Sequence, residues 1–600
     1  MSRDAFSRGS LVATLLFLFP ACNLGFTDDP ITTAERNECE DNSDCRDGTC
    51  KGGMCRSQST ELGALLLQVT PSTGTPIIAG VGFTSVIEDL NFESASSGNK
   101  YEISLGHVSR ISGAIRGLEI DEENCVLDDT VREGLKTTDR SLAARLTLTP
   151  RTRLLGLASA SHTVEVSDEV ANSYGLSLPV PPGRYDIYVE PQTTAEGCVR
   201  PPYLALDREV LSGDVDLEVN LPQPSALTVR VKYPGESSDL RGWTLEIIER
   251  TSGRRLSNLA VLSESVETDG GKEYSAEVAF SAVDGADSNP ASELVRLSPP
   301  ADIVGPEIYV ERSVVELFQG GNGLIDQLTE LPLPVRFAGR VATTDATVPV
   351  AANVSFFATR LQSTGPGTVA AFSRVVATDE GQGLFEVQLL PGDYRVIAEP
   401  LDERLAPVET QITVSDAELQ AGKTIEILSR YAVDGDVVDF RGAAIGGVSV
   451  VMSAADLRPL SSVLDIAQGR QVFPPLATSV ASAEDGSFRL LSDQGIFHLS
   501  ARPQSSTGFP WHIRLNTAVE AGAISVGRLG LPLPVVISGV LTSRDLGGVV
   551  PEALIVVHAM LKDGIPVADQ ADANQVVPVA EARVDERGEF RLLLPSTLGH

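Results

Sequence analysis

Three short patterns recur along the 600 residues, and a chain that repeats itself folds as a series of like units. The first is a Pro-containing linker ahead of an opening strand: Leu221-Pro-Gln-Pro224, Leu331-Pro-Leu-Pro334 and Leu531-Pro-Leu-Pro534. The second is an Asp-to-Phe segment, seen as Asp379-Glu-Gly-Gln-Gly-Leu-Phe385, Asp485-Gly-Ser-Phe488 and Asp585-Glu-Arg-Gly-Glu-Phe590. The third is Pro-Gly-x-Tyr, at Pro182-Gly-Arg-Tyr185 and Pro391-Gly-Asp-Tyr394. Asp and Gly supply a tight hairpin turn, and the Phe that follows opens an inward-facing strand. Pro-Gly reverses the chain again. The Tyr then buries its ring while its hydroxyl reaches a backbone partner, as in a tyrosine corner. These motif residues are expected to build a fold and to carry no chemistry.

Between the motifs the texture is short runs of alternating apolar residues, such as Leu227-Thr-Val-Arg-Val-Lys232, Thr244-Leu-Glu-Ile-Ile-Glu249 and Tyr394-Arg-Val-Ile-Ala398. Every second residue of such a run can face a core, and helical signals are sparse. A chain of this length exceeds what one hydrophobic core organises, so several domains are expected. The repeats resemble carboxypeptidase regulatory-like modules, the transthyretin-like sandwiches also related to Cna-B-like and starch-binding-like domains. The best match runs over 335–430, through Gly339, Asp379, Phe385 and Pro391 to Tyr394. The resemblance implies an all-β fold of tandem transthyretin-like or immunoglobulin-like β-sandwich modules. The expected divisions are 57–222, a sandwich with an N-terminal strand extension; 223–330, a divergent sandwich without the motifs; then 331–430, 431–530 and 531–600. The last ends at Leu594-Pro-Ser-Thr-Leu-Gly-His600, where a Tyr-bearing strand is expected, and so reads as incomplete.

The first 22 residues read as a signal peptide: Arg3 and Arg8, an apolar run from Leu11 to Phe19, then Pro20-Ala21-Cys22. The run is too short for a spanning helix, so any membrane attachment is expected through a lipid alone. Ala21-Cys22 resembles the lipobox of bacterial lipoproteins, which implies lipidation of Cys22; a soluble secreted product with Cys22 structural or free is the alternative. The chain has 7 Cys, and setting Cys22 aside leaves an even number in an oxidising compartment. Cys39, Cys45, Cys50 and Cys55 crowd a stretch (within 23–56) too short for a core, so two disulfides of open pairing are expected there. Zinc is disfavoured because no close Cys-x-x-Cys pair occurs. The stretch resembles the Dickkopf-type cysteine-rich motif of surface lipoproteins. Cys125 and Cys198 remain as a pair by elimination.

A formal net charge of -34 repels phosphate backbones, so nucleic-acid binding is not expected. No His-Glu-x-x-His or Gly-x-Ser-x-Gly occurs, and the 6 His lack ligand spacing, so no catalytic residue, metal or cofactor is expected. Gly422-Lys423-Thr424 sits in a strand-like run and lacks the first Gly of a phosphate loop. Lys232 is the sole Lys placed for the isopeptide crosslink of some Cna-B-like relatives. Sugar binding needs an open aromatic face, and Trp511, in the loop-like Gly508-Phe-Pro-Trp-His512, is the candidate carbohydrate-binding residue. The expectation is a non-catalytic surface lipoprotein, at the outer membrane or cell surface, that displays or spaces something. A carbohydrate-binding protein and an accessory subunit of a peptidase or transport complex are the alternatives, with an unidentified surface protein or polysaccharide as partner.

Overall fold

The computed structural model describes residues between 49 and 599, apart from 57–64, 76–82, 88–100, 126–141, 285–292, 312–321 and shorter loop stretches. Cys22, Cys39 and Cys45, with the signal-like segment, lie outside the described residues.

The protein is all-β, and one strand plan recurs through it. In the third sandwich, the opening strand Val335–Thr343 alternates inward and outward side chains. It lies between Leu384–Leu389, antiparallel, and the closing strand Leu419–Ile427, parallel. A second sheet has Ala352–Leu361 between Ser373–Ala377 and Gly392–Pro400, with Val408–Val414 outermost. The two sheets enclose Phe337, Phe356, Phe385 and Tyr394. Inward side chains from both sheets thus share one dry layer, the usual cohesion of a sandwich.

The parallel pairing of opening and closing strands marks the other units too. In the first sandwich Ser109–Arg116 is flanked by Ser173–Val180 and by the closing strands Asp214–Asp216 and Val219–Asn220. In the second, Ser225–Tyr233 has Gly271–Phe280 on one side and Asn322–Ile325 on the other. In the fourth, Tyr431–Val438 lies between Ser487–Ser492 and Ile524–Gly530. Gly422, Lys423 and Thr424 sit within a closing strand, as their strand-like run suggests.

The fifth sandwich departs from the sequence reading. Its opening strand Pro534–Ser543 pairs antiparallel with Glu589–Pro595, and Leu554–Lys562 pairs with Gln575–Arg583. The remaining three strands come from the other end of the chain. Leu65–Thr70 pairs antiparallel with Leu554–Lys562, Phe83–Ile87 lies outside it, and Tyr101–Leu105 takes the parallel closing position beside Pro534–Ser543. The strands Leu65–Thr70, Phe83–Ile87 and Tyr101–Leu105 are therefore part of the last sandwich and not an extension of the first, and the unit beginning at 531 is completed by them. The physical reason is that alternating apolar residues suit any open sheet edge, so the pattern alone names no partner.

The sandwiches touch out of sequence order. Glu307–Val310 of the second continues into Thr368–Ala371 of the third. The short helix Val463–Ala467, capped by Ser462 and Asp465, projects from the fourth. Its Leu464 packs with Ile248, Leu294, Tyr309 and Ala371 across that shared sheet. Leu154 of the first packs on Met560 and Val576 of the fifth. No helix among the described residues is long and apolar enough to cross a membrane.

Candidate functional site

The recurring motifs resolve into turn and core parts. Asp379 accepts hydrogen bonds from the backbone N–H groups of Gly381 and Gln382, and Gly383 takes the left-handed φ of +64° that closes the turn. Asp485 and Asp585 do the same for Ser487 and for Arg587 and Glu589. Each Phe that follows sits across from a Gly of the opening strand: Phe385 on Gly339, Phe488 on Gly435, Phe590 on Gly539. Tyr394 and Tyr185 donate their hydroxyls to the carbonyls of Leu390 and Pro181, both at 2.6 Å. Burial of these rings raises both phenols far above the ordinary range. Neither is available as an acid or base near neutrality.

Trp511 does not offer an open face. It is 7% exposed, and its ring lies in the core of the fifth sandwich although the strand it leads into, His512–Val519, belongs to the fourth. Trp511, Ile513 and Leu515 alternate along one strand face, which turns all three into the neighbouring core. The guanidinium of Arg502 stands 4.4 Å from the indole centroid and covers it. The expected sugar platform at this residue is thereby corrected: the loop-like sequence around Trp511 is a junction between sandwiches. Trp243 is also buried, in the second core.

Cys125 and Cys198 are joined by a disulfide with a Cα–Cα distance of 5.2 Å. Cys55 is disulfide-bonded and lies directly across a short hairpin from Cys50. Cys55 packs beside Leu533 and Phe440, where the fourth and fifth sandwiches join. Lys232 is paired in register with Glu273. Among the described residues no group of three or more His, Cys, Asp or Glu could hold a metal ion.

Sequence reasoning missed one meeting of buried polar groups between sandwiches. Gln575 of the fifth sandwich donates to the carbonyl of Ala455 and approaches His498 Nε2 at 3.4 Å, both in the fourth. Its backbone also bridges to Leu155 of the first. His498 is 2% exposed, and burial pushes its imidazole down to about 4. His558 is 4% exposed; burial lowers it to about 4 against a hydrogen bond to the backbone of Leu66 that acts the other way. Both imidazoles are thus held neutral, His498 where the fourth sandwich meets Gln575 of the fifth and His558 within the fifth. A second buried polar pair lies in the second sandwich, where Arg296 donates to Glu246 Oε1 through two nitrogens, at 2.9 and 2.6 Å. These groups lock elements together. Isolated His and Gln give no local signal of such a role. The strand-like Leu65-Leu-Leu-Gln-Val-Thr70, set beside an unfinished last unit, was the one available clue.

No family model matches the chain, and no curated protein matches it. Among solved structures, a streptococcal ancillary pilin is 13% identical, with a TM-score of 0.21 over 51% of this chain and 99% of that one. The Bacillus anthracis TIE protein is 10% identical, with a TM-score of 0.16 over 65% of this chain and 69% of that one. A minor pilin of Streptococcus agalactiae is 12% identical, with a TM-score of 0.19 over 33% and 96% of the two chains. At these scores none of them bears on function, and the sandwich architecture stands on the strand pairing itself.

Proposed function

We propose that this protein is a non-catalytic, lipid-anchored structural or adhesive scaffold of the bacterial cell surface. The observation that carries this reading is how the distinctive residues are spent: the repeated Asp, Gly, Phe and Tyr, the tryptophans and the buried histidines all serve turns, cores and joins between sandwiches. A signal-like segment ending in Ala21-Cys22 supports export and anchoring. Contacts between the second and fourth sandwiches, and between the first and fifth, favour a folded-back display body over an extended spacer.

The test is intact mass and detergent partitioning of the natively expressed protein, with Cys22→Ser as control. A mature chain that begins at Cys22, carries acyl mass and enters the detergent phase is the expected result. An unmodified chain that stays aqueous overturns the anchor and directs the search to soluble polysaccharides. For the anchored protein, the partner is sought by crosslinking to neighbouring surface proteins.

A further inference from the structure

We propose that the fifth sandwich is a strand-exchange joint through which the strands Leu65–Thr70 and Tyr101–Leu105 of one copy complete the half-sandwich built on Pro534–Ser543 and Leu554–Lys562 of a second copy. The argument begins with what the join is made of. Leu65–Thr70 meets Leu554–Lys562 over six register pairs, from Leu65 opposite Ala559 to Thr70 opposite Leu554. Tyr101–Leu105 meets Pro534–Ser543 over five, from Tyr101 beside Gly539 to Leu105 beside Ser543. These are main-chain pairings between segments more than 400 residues apart in sequence, and every one of them is equally satisfied by the same segment from another molecule.

The recipient half cannot rest empty. Leu65, Leu67, Val69, Ile103 and Leu105 lie in one core cluster with Leu541, Ile555, Val557 and Leu592. Withdrawal of the donor uncovers that layer and opens an edge on both sheets at once, along Pro534–Ser543 and along Leu554–Lys562. Such a half-sandwich pairs with the next donor it meets. The donor in turn leads into the first sandwich, since Leu105 ends one strand and Ser109 begins the next. Among the described residues, the first and fifth sandwiches of one molecule meet where Leu154 and Leu157 pack on Leu66, Met560 and Val576, and where Leu155 bridges to Gln575 and exchanges backbone hydrogen bonds with Asn574 and Val576.

Closure within one molecule and closure between two therefore share nearly all their contacts. They differ by that contact and by the entropy of tethering, so local concentration selects between them. Donor and recipient are different surfaces, so exchange gives either a swapped dimer or a head-to-tail chain. The proposal does not depend on the lipid anchor, although crowding on a membrane raises the concentration that favours it.

The experiment uses full-length chains carrying Cys22→Ser. Gln68 and Val556 face each other across the join and are both half-buried. One population carries Gln68→Cys and the other an affinity tag with Val556→Cys; the two are mixed at high concentration, warmed, cooled and oxidised with oxidised glutathione. The double variant Gln68→Cys/Val556→Cys is the control for register, and Arg528→Cys, on an exposed part of the fourth sandwich, is the control for random collision. The expected result is full crosslinking within monomers of the double variant, together with at least a tenfold excess of mixed disulfide dimer over the Arg528→Cys control. Mixed dimer at the control level overturns the proposal. So does a double variant that fails to crosslink, because the register on which exchange rests is then wrong.

Discussion

Gly339 shows how little room the motif leaves at the level of single residues. A Cβ at this position stands 2.3 Å from Phe385 Cζ, so Gly339→Ala displaces the ring that makes two aromatic contacts in the third core, with Phe337 and Phe356. The expected cost is about 1–3 kcal/mol, read as a lower midpoint in urea unfolding. Tyr394→Phe, which removes only the hydroxyl bound to Leu390, is expected to cost about 1 kcal/mol in the same assay. The histidines give a pH dependence instead. His498 and His558 have folded values of about 4, below the ordinary 6.5. The unfolded chain therefore binds more protons between those limits. Stability is fully present above pH 6.5 and falls as the pH drops toward 4, by up to about 3 kcal/mol for each histidine. Urea unfolding at pH 7.0, 5.5 and 4.5 checks this, and His498→Gln is expected to flatten the slope. A profile unchanged by that substitution assigns the acid sensitivity elsewhere. The repeated Asp, Gly, Phe and Tyr were readable in sequence because their roles are local. His498 was not, since its burial depends on Gln575 and Ala455 arriving from elsewhere.

At the level of elements, the first and second sandwiches hold together by different means. The Cys125–Cys198 bridge closes a separation of 73 residues, which in the chain-entropy account contributes about 4 kcal/mol. Replacing both with Ser is expected to lower the thermal midpoint of the first sandwich, followed by calorimetry with and without reductant. The second sandwich lacks the Asp-to-Phe and Pro-Gly-x-Tyr motifs. It ties its sheet with Arg296 and Glu246, which face each other in register and are nearly buried. Glu246→Gln removes the carboxylate hydrogen-bonded to the guanidinium and leaves Glu307 as its remaining countercharge, at an expected cost of up to about 3 kcal/mol in urea unfolding. Replacing both partners by apolar residues of similar volume should recover most of it. The outer sheet face of this second sandwich is covered by the helix Val463–Ala467 and by the third sandwich, so that face is built as an interior.

For the whole molecule, the joins between sandwiches decide behaviour that no single unit sets. Trp511→Ala is expected to destabilise the fifth sandwich by about 3–5 kcal/mol, because the ring fills its core from the neighbouring unit. A differential scanning trace in which the fourth and fifth sandwiches separate into two transitions is the expected signature. All-β class, strand alternation, turn positions and the repeated plan were legible along the chain, because each rests on interactions between residues close in sequence: an Asp with the next few N–H groups, a Tyr with a carbonyl four residues back. The partner of Leu65–Thr70 and Tyr101–Leu105, the burial of Trp511 and the covering of the second sandwich were not. They rest on contacts hundreds of residues apart, where many apolar strand edges are equivalent by pattern and only three-dimensional packing selects one.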